Sequence, residues 1–320
     1  MTKFFKTLSA TLAAGVMLAG TAQAETRVTY KSAKSGSSYY QMGVELAEAM
    51  KAGTNGDIIV TIEESQGSTQ NVMEVRARGG DYVFTTPPVL VSLAQKGKGP
   101  FEGKSAPQFD EIRALFPIPS LTMHFVMAGE GGAAALDDLE GQTLLLGKGS
   151  FGATEGEKYL TLFGLADKVE IADAELSNAV AALKNGQIGA FVTAGSFPAP
   201  NVVEAAASTP VRLVSLTPEQ VAETKRTKLV IPAGTYAGQT EDVTTTSLPV
   251  AAFTTTKMDE DTAYQLTRTY WEQKAEMADT SAWWNGVTEE LMANITTPLH
   301  PGAVRYYEEA GFTLSDAQKQ

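Results

Sequence analysis

The chain has 320 residues, 43% of them hydrophobic, a formal net charge of −12 and no cysteine. That much apolar material can build a large core without disulfides, and the absence of cysteine excludes thiolate metal sites and cysteine nucleophiles. The acidic balance excludes nucleic acid as a natural partner, although a few donors in a closed cleft suffice to hold a small anion.

The first 24 residues read as a leader. Lys3 and Lys6 precede a short apolar run that closes on Ala22-Gln23-Ala24. A basic start, a short apolar middle and an A-x-A exit form the pattern of a cleaved secretory signal. The run falls short of the roughly 20 apolar residues of a membrane span. The expected mature protein begins at Glu25, lies in the periplasm and has no stable membrane insertion.

Strands and helices then alternate. A strand over 27–33 runs into a Gly/Ser turn, followed by a helix from Tyr39 that places Met42, Leu46, Ala49 and Met50 on one side. A second strand covers 57–65, and a short helix from Ser68 ends at Gly79-Gly80. A third strand, DYVFTT, leads to a helix opening on Pro87-Pro88. The same rhythm recurs: strand at 142–147, helix from Gly152, then KVEIADA, ELSNAVAALKNG, QIGAFVTAG, NVVEAAAS and VRLVSL. Between the two runs, IRALFPIPS and LTMHFVMAGE are segments where the chain crosses between lobes. Segments 259–287 and 300–312 are helical.

This pattern implies parallel sheet covered by helices, in a two-lobed α/β protein. The expected first lobe is 25–118 with part of 216–320, and the second is 119–215. Ligands of open α/β sheets sit beyond the carboxyl ends of the strands, here in the cleft between lobes.

Three turns carry the expected site: SGSS (35–38), QGSTQN (66–71) and GKGSFGAT (147–154). Each follows a strand and opens a helix. Glycine admits close approach, Ser and Thr supply hydroxyls, and the first helical N–H groups point outward with partial positive charge. Together they suit a carboxylate or phosphate. None is a P-loop, and no G-x-S-x-G elbow is present. No enzyme activity and no cofactor are expected. Arg76, Arg78 and Lys148 are the candidate counter-charges, with Lys148 inside the third turn. His124 and His300 are read as hydrogen-bonded structural groups, too far apart for a zinc site. Trp283-Trp284 and Tyr306-Tyr307 read as core.

Five blocks resemble the TAXI-type solute-binding proteins of TRAP transporters: SGSSYYQMGVELAEAM, QGSTQNVMEVRARGGDYVFTTPP, LFPIPSLTMHFVMAGEGGAAALDDLEGQTLLLGKGSFGAT, IPAGTYAGQTEDVTTTSLPVAAF and PLHPGAVRYYEEAGF. The resemblance covers 27–312. It departs at Gln41, at Phe151-Gly152-Ala153-Thr154 and at YVFTTPP, all in turns expected to line the cleft. It implies a type II-like Venus-flytrap fold that closes on a small carboxylate, glutamate-like or dicarboxylate, and docks on a TRAP membrane permease. Carried over by position, the ligand turns would be Ser37, Ser38, Tyr39 and Tyr40; Gly67, Ser68 and Asn71; and Gly152, Ala153 and Thr154. Thr85 and Thr86 replace a polar strand end. The alternatives are a receptor for an ABC importer or a sensor, which should lack the IPAGTYAGQ and HPGA blocks, and an enzyme on the same two-lobed fold.

Overall fold

The computed structural model describes residues 25–320; the leader-like segment 1–24 lies outside the described residues. The first half holds β1 (Thr26–Lys31), α1 (Ser38–Gly53), β2 (Ile58–Glu63), α2 (Ser68–Glu74), β3 (Tyr82–Thr86) and α3 (Pro88–Gln95). A 17-residue strand, β4 (Ile112–Ala128), leads into the second half. There follow β5 (Thr143–Leu145), α4 (Phe151–Leu162), β6 (Glu170–Ala172), α5 (Ala179–Lys184), β7 (Ala190–Gly195), α6 (Pro200–Ser208) and β8 (Val211–Leu213). The chain returns through α7 (Pro218–Thr224), β9 (Thr227–Ile231) and β10 (Val243–Thr255), and ends in α8 (Glu260–Thr280) and α9 (Pro301–Glu309).

One sheet runs β2-β1-β3-β10-β4-β7-β5-β6, with β8 beside β4 and β9 beside β10. The flanks are parallel, as the βαβ rhythm requires: β2-β1-β3 on one side and β7-β5-β6 on the other. The centre corrects the expectation of a parallel sheet. β4 and β10 are antiparallel to each other and to β7 and β3. β4 leaves the first half and β10 comes back, so two strands traverse the same joint in opposite directions. Pro117 and Pro119 of β4 and Pro249 of β10 sit at that joint, where the register shifts between Leu248 and Val250. Proline cannot donate to a ladder, so it is tolerated where pairing is already irregular.

Packing follows the sequence periodicity. Met42, Leu46, Ala49 and Met50 of α1 are all buried. The C-terminal helices clamp β4: Tyr270 stacks on Phe116 with centroids 4.0 Å apart and donates to the Pro117 carbonyl at 2.6 Å. Tyr307 donates to the Leu115 carbonyl at 2.9 Å. Trp283, Trp284 and Tyr307 lie in the core and Tyr306 packs against it. His300 is the N-cap of α9, its Nδ1 accepting from the Gly302 N–H at 3.2 Å. Helix α2 stops at Glu74, short of Gly79-Gly80. Beyond it the chain turns so that Arg78 reaches Glu63 and Glu74, which also hold the buried Lys31 ammonium.

The IPAGTYAGQTED loop before β10 belongs structurally with the second half. Tyr236 and Ile231 join a cluster with Phe191, Val202 and Leu213. The Tyr236 hydroxyl accepts from the Ala199 N–H at 2.9 Å and meets His124 Nε2 at 2.8 Å. His124 Nδ1 lies 3.2 Å from the Thr122 carbonyl, which can only accept. The ring is therefore neutral, donating from Nδ1 and accepting from Tyr236 at Nε2. Burial lowers the His124 pKa to about 4. The unfolded chain, with a histidine near 6.5, then binds a proton that the folded chain refuses between those values. This contribution is complete above pH 6.5 and is lost as pH falls toward 4, amounting to about 3 kcal/mol. Denaturant unfolding at stepped pH should show that loss, and His124→Gln should flatten it. An unchanged slope in the variant would remove His124 as its source.

Candidate functional site

Three chain turns converge on one cavity of about 530 Å³, open space included. From the first half come the turn after β1 (Ser32, Lys34, Ser37) and the opening of α2 (Gln66, Gly67, Ser68). From the second half come the opening of α4 (Ser150, Phe151, Gly152) and Thr193 of β7. The parallel flanks explain the convergence, because each helix starts at the carboxyl end of its strand.

Local sequence builds each turn. Ser37 caps α1: its Oγ accepts from the Tyr40 N–H at 3.3 Å and donates to the Lys34 carbonyl at 2.7 Å. Ser150 caps α4, accepting from the Ala153 N–H at 2.9 Å. Gly67 has φ 105 and ψ −166, a conformation open essentially to glycine alone. It also lies against the other half: a Cβ there would be 3.0 Å from Phe151 Cβ and 3.1 Å from Phe151 N.

Several cross-cleft contacts hold the halves together. The Ser196 N–H donates to Ser38 Oγ at 2.9 Å. Tyr39 donates to the Pro119 carbonyl at 2.7 Å. Lys34 forms an ion pair with Glu175, its side chain only 11% exposed. Burial raises the Tyr39 pKa well above the ordinary phenol value, so it stays a donor.

Of the residues expected from the sequence, Ser37, Tyr39, Gly67, Ser68, Thr85 and Gly152 line the cavity. Seven do not. Ser38 is turned toward Ser196, and Tyr40, half-buried on α1, lies outside the lining. Asn71 is fully buried beneath the site, where Nδ2 ties the Ser32 and Thr85 carbonyls at 2.7 and 2.8 Å. Thr86 is buried and outside the lining. Ala153 and Thr154 lie one step further into α4, because the helix starts at Phe151 and not at Gly152.

Lys148, expected as a counter-charge in the third turn, lies outside the cavity lining. Its side chain is 60% exposed and pairs with Asp173 at 2.9 Å, and that hydrogen bond raises its pKa. A solvated pair of this kind carries little energy. Lys148→Met should leave stability and ligand affinity unchanged; a calorimetric titration that loses affinity would return it to the site. Arg76 donates to the Met73 carbonyl on an exposed face, and Arg78 belongs to the Glu63–Glu74 network.

Sequence reasoning missed Lys34, Ser150, Phe151 and Thr193. Ser150 had a readable signal as an N-cap serine before an apolar-periodic run. Thr193, inside a buried strand, had none. Among the described residues no cluster of three or more metal-ligating side chains occurs, and no helix is long and apolar enough to cross a membrane.

A two-lobed α/β fold with a cavity between its halves is the fold of the periplasmic binding proteins. A solved structure described as a periplasmic transporter matches at TM-score 0.55 and 10% identity, covering 92% of this chain and 100% of that one. The periplasmic binding protein BugD matches at TM-score 0.54 and 10% identity, covering 90% of this chain and 98% of that one. The NMT1-like family model matches residues 31–311, and the chain belongs to that family.

Proposed function

We propose that this protein is an extracytoplasmic receptor that binds a small organic acid and delivers it to a TRAP-type secondary transporter. The observation that carries this reading is the cavity itself, where the openings of α1 and α4 meet from opposite halves with the buried Lys34 beside them. Outward N–H groups, hydroxyls and one ammonium suit a carboxylate. The TAXI-like blocks favour a TRAP permease over an ABC importer or a sensor: IPAGTYAGQ and HPGA are both present. The leader-like segment supports export with cleavage after Ala24. In this reading the lobes are 25–118 with part of 216–320, and 119–215, the latter joined by the 231–242 loop that packs against it. They hinge at the proline-marked joint of β4 and β10.

An organic-acid screen by thermal shift, with scattering to follow compaction, tests this. A receptor's ligand at 100 times its Kd stabilises by about 2.7 kcal/mol. A carboxylate should raise Tm and be recovered unchanged. Stabilisation by sugars or cations alone would sink the acid-receptor reading, and turnover of the ligand would favour an enzyme.

A further inference from the structure

The charge inventory of the cavity narrows its ligand. Among the described residues that line it, Lys34 is the only one with a charged side chain. Its partner Glu175 is 47% exposed and stands outside the lining. Leu121, Leu146, Phe151, Leu176, Val192 and Val250 form an apolar wall. Two hydroxyls on the lining, Ser68 from the first half and Thr193 from the second, have no hydrogen-bond partner among the described residues. Thr193 is 2% exposed, so water does not solvate it freely.

We infer that the cavity takes a monocarboxylate with a compact apolar body, and that Lys34 reads the carboxylate. This rests on the acid-receptor reading and makes it narrower than a glutamate-like or dicarboxylate ligand. A carboxylate removed from water needs a counter-charge and full hydrogen bonding. One ammonium with three donors supplies this once. A second carboxylate would find hydroxyls and backbone N–H groups on the lining but no second charged side chain to neutralise it. A ligand ammonium would share the cavity with Lys34 and find no lining carboxylate. Glu175 holds Lys34 at the cleft mouth as the ligand's carboxylate would, so binding exchanges or shares that partner. The Ser68 and Thr193 hydroxyls supply the remaining donors, one from each half, which couples binding to closure.

Three acids on one carbon skeleton separate the possibilities: isovalerate, valine (the same skeleton with an ammonium) and methylsuccinate (the same skeleton with a second carboxylate). Calorimetry on the mature chain should find isovalerate at least about tenfold tighter than either. Lys34→Met should weaken isovalerate at least about tenfold, and Lys34→Arg should retain much of the affinity. Tm without ligand reports whether each variant is folded, and the wild-type series stands without them. Tightest binding by valine, methylsuccinate or any other dicarboxylate would overturn this inference and leave the acid receptor intact. Wild-type affinity in folded Lys34→Met would overturn the role of Lys34. Failure of every acid, with sugars or amines raising Tm, would overturn the acid-receptor reading as well.

Discussion

Glu45→Ala is expected to lower stability by about 3–5 kcal/mol, a larger loss than any surface ion pair here can cause. Glu45 sits on α1 and is 6% exposed. Its carboxylate accepts from Ser281 Oγ at 2.6 Å, Trp283 Nε1 at 3.1 Å, Trp284 Nε1 at 2.6 Å and Gln41 Nε2 at 3.2 Å. Four donors explain how a carboxylate tolerates burial. They also fasten α1 to the segment after α8. Truncation strands two indole N–H groups in the core, each costing roughly 1–3 kcal/mol, and removes side-chain packing. At roughly 2 °C per kcal/mol for a chain this long, Tm should fall by about 6–10 °C. Glu45→Gln retains one acceptor but turns an amide donor toward the indoles, so an intermediate loss is expected. Thermal unfolding read by tryptophan emission measures both. A Glu45→Ala variant as stable as wild type would show that the network is not holding α1.

Much of the fold is legible in the sequence because local rules and packing agree. The alternation of strand, Gly/Ser turn and helix places β1 to α3 and β5 to β8 within a few residues. The centre of the sheet is harder to read. IRALFPIPS and LTMHFVMAGE look like two segments because Pro117 and Pro119 interrupt the run, yet β4 is one strand. The interruption marks a joint, which only pairing with β10 reveals. β10 itself is VTTTSLPVAAFTT, buried along nearly all its length on both faces. It has no period-two alternation to betray it.

The site divides along similar lines. Turn chemistry locates the three openings, because glycine conformations and N-caps are written locally. Which turn side chain enters the cavity is not local. Lys148 and Lys34 each lie in such a turn, and their partners Asp173 and Glu175 are two residues apart. Asp173 takes Lys148 on the outside, and Glu175 takes Lys34 at the cleft. The orientation of one short segment between β6 and α5 goes with which lysine lines the cavity, and that segment's placement depends on the tertiary fold. Asn71 was expected to touch ligand, but it tethers the strand ends that carry the turns.

Gly67→Val is expected to abolish ligand binding, lowering affinity by at least about 100-fold, while the chain still folds. Two separate effects act at this position. The backbone lies in a region that costs a side-chain-bearing residue roughly 1–3 kcal/mol, and that cost falls on the folded state whether or not the cleft is closed. The second effect arises where the two halves touch. A Cβ at Gly67 meets Phe151 of the other half, at 3.0 Å from its Cβ and 3.1 Å from its backbone nitrogen. Backbone at a helix opening cannot swing aside like a flexible side chain, and overpacking of this kind costs about 1–3 kcal/mol even before valine's extra methyls are seated. Holding Phe151 back would also draw Ser150 and Gly152 away from the ligand. Gly164→Ala isolates the first effect. Gly164 has φ 67, but a Cβ there meets nothing within 4 Å, so the variant should lose some stability and keep its affinity. Tm, calorimetric affinity and scattering with and without ligand separate the two. Gly67→Val should bind no ligand and fail to compact, whereas Gly164→Ala should do both. Wild-type affinity in a folded Gly67→Val protein would mean that the halves do not close on ligand across this contact.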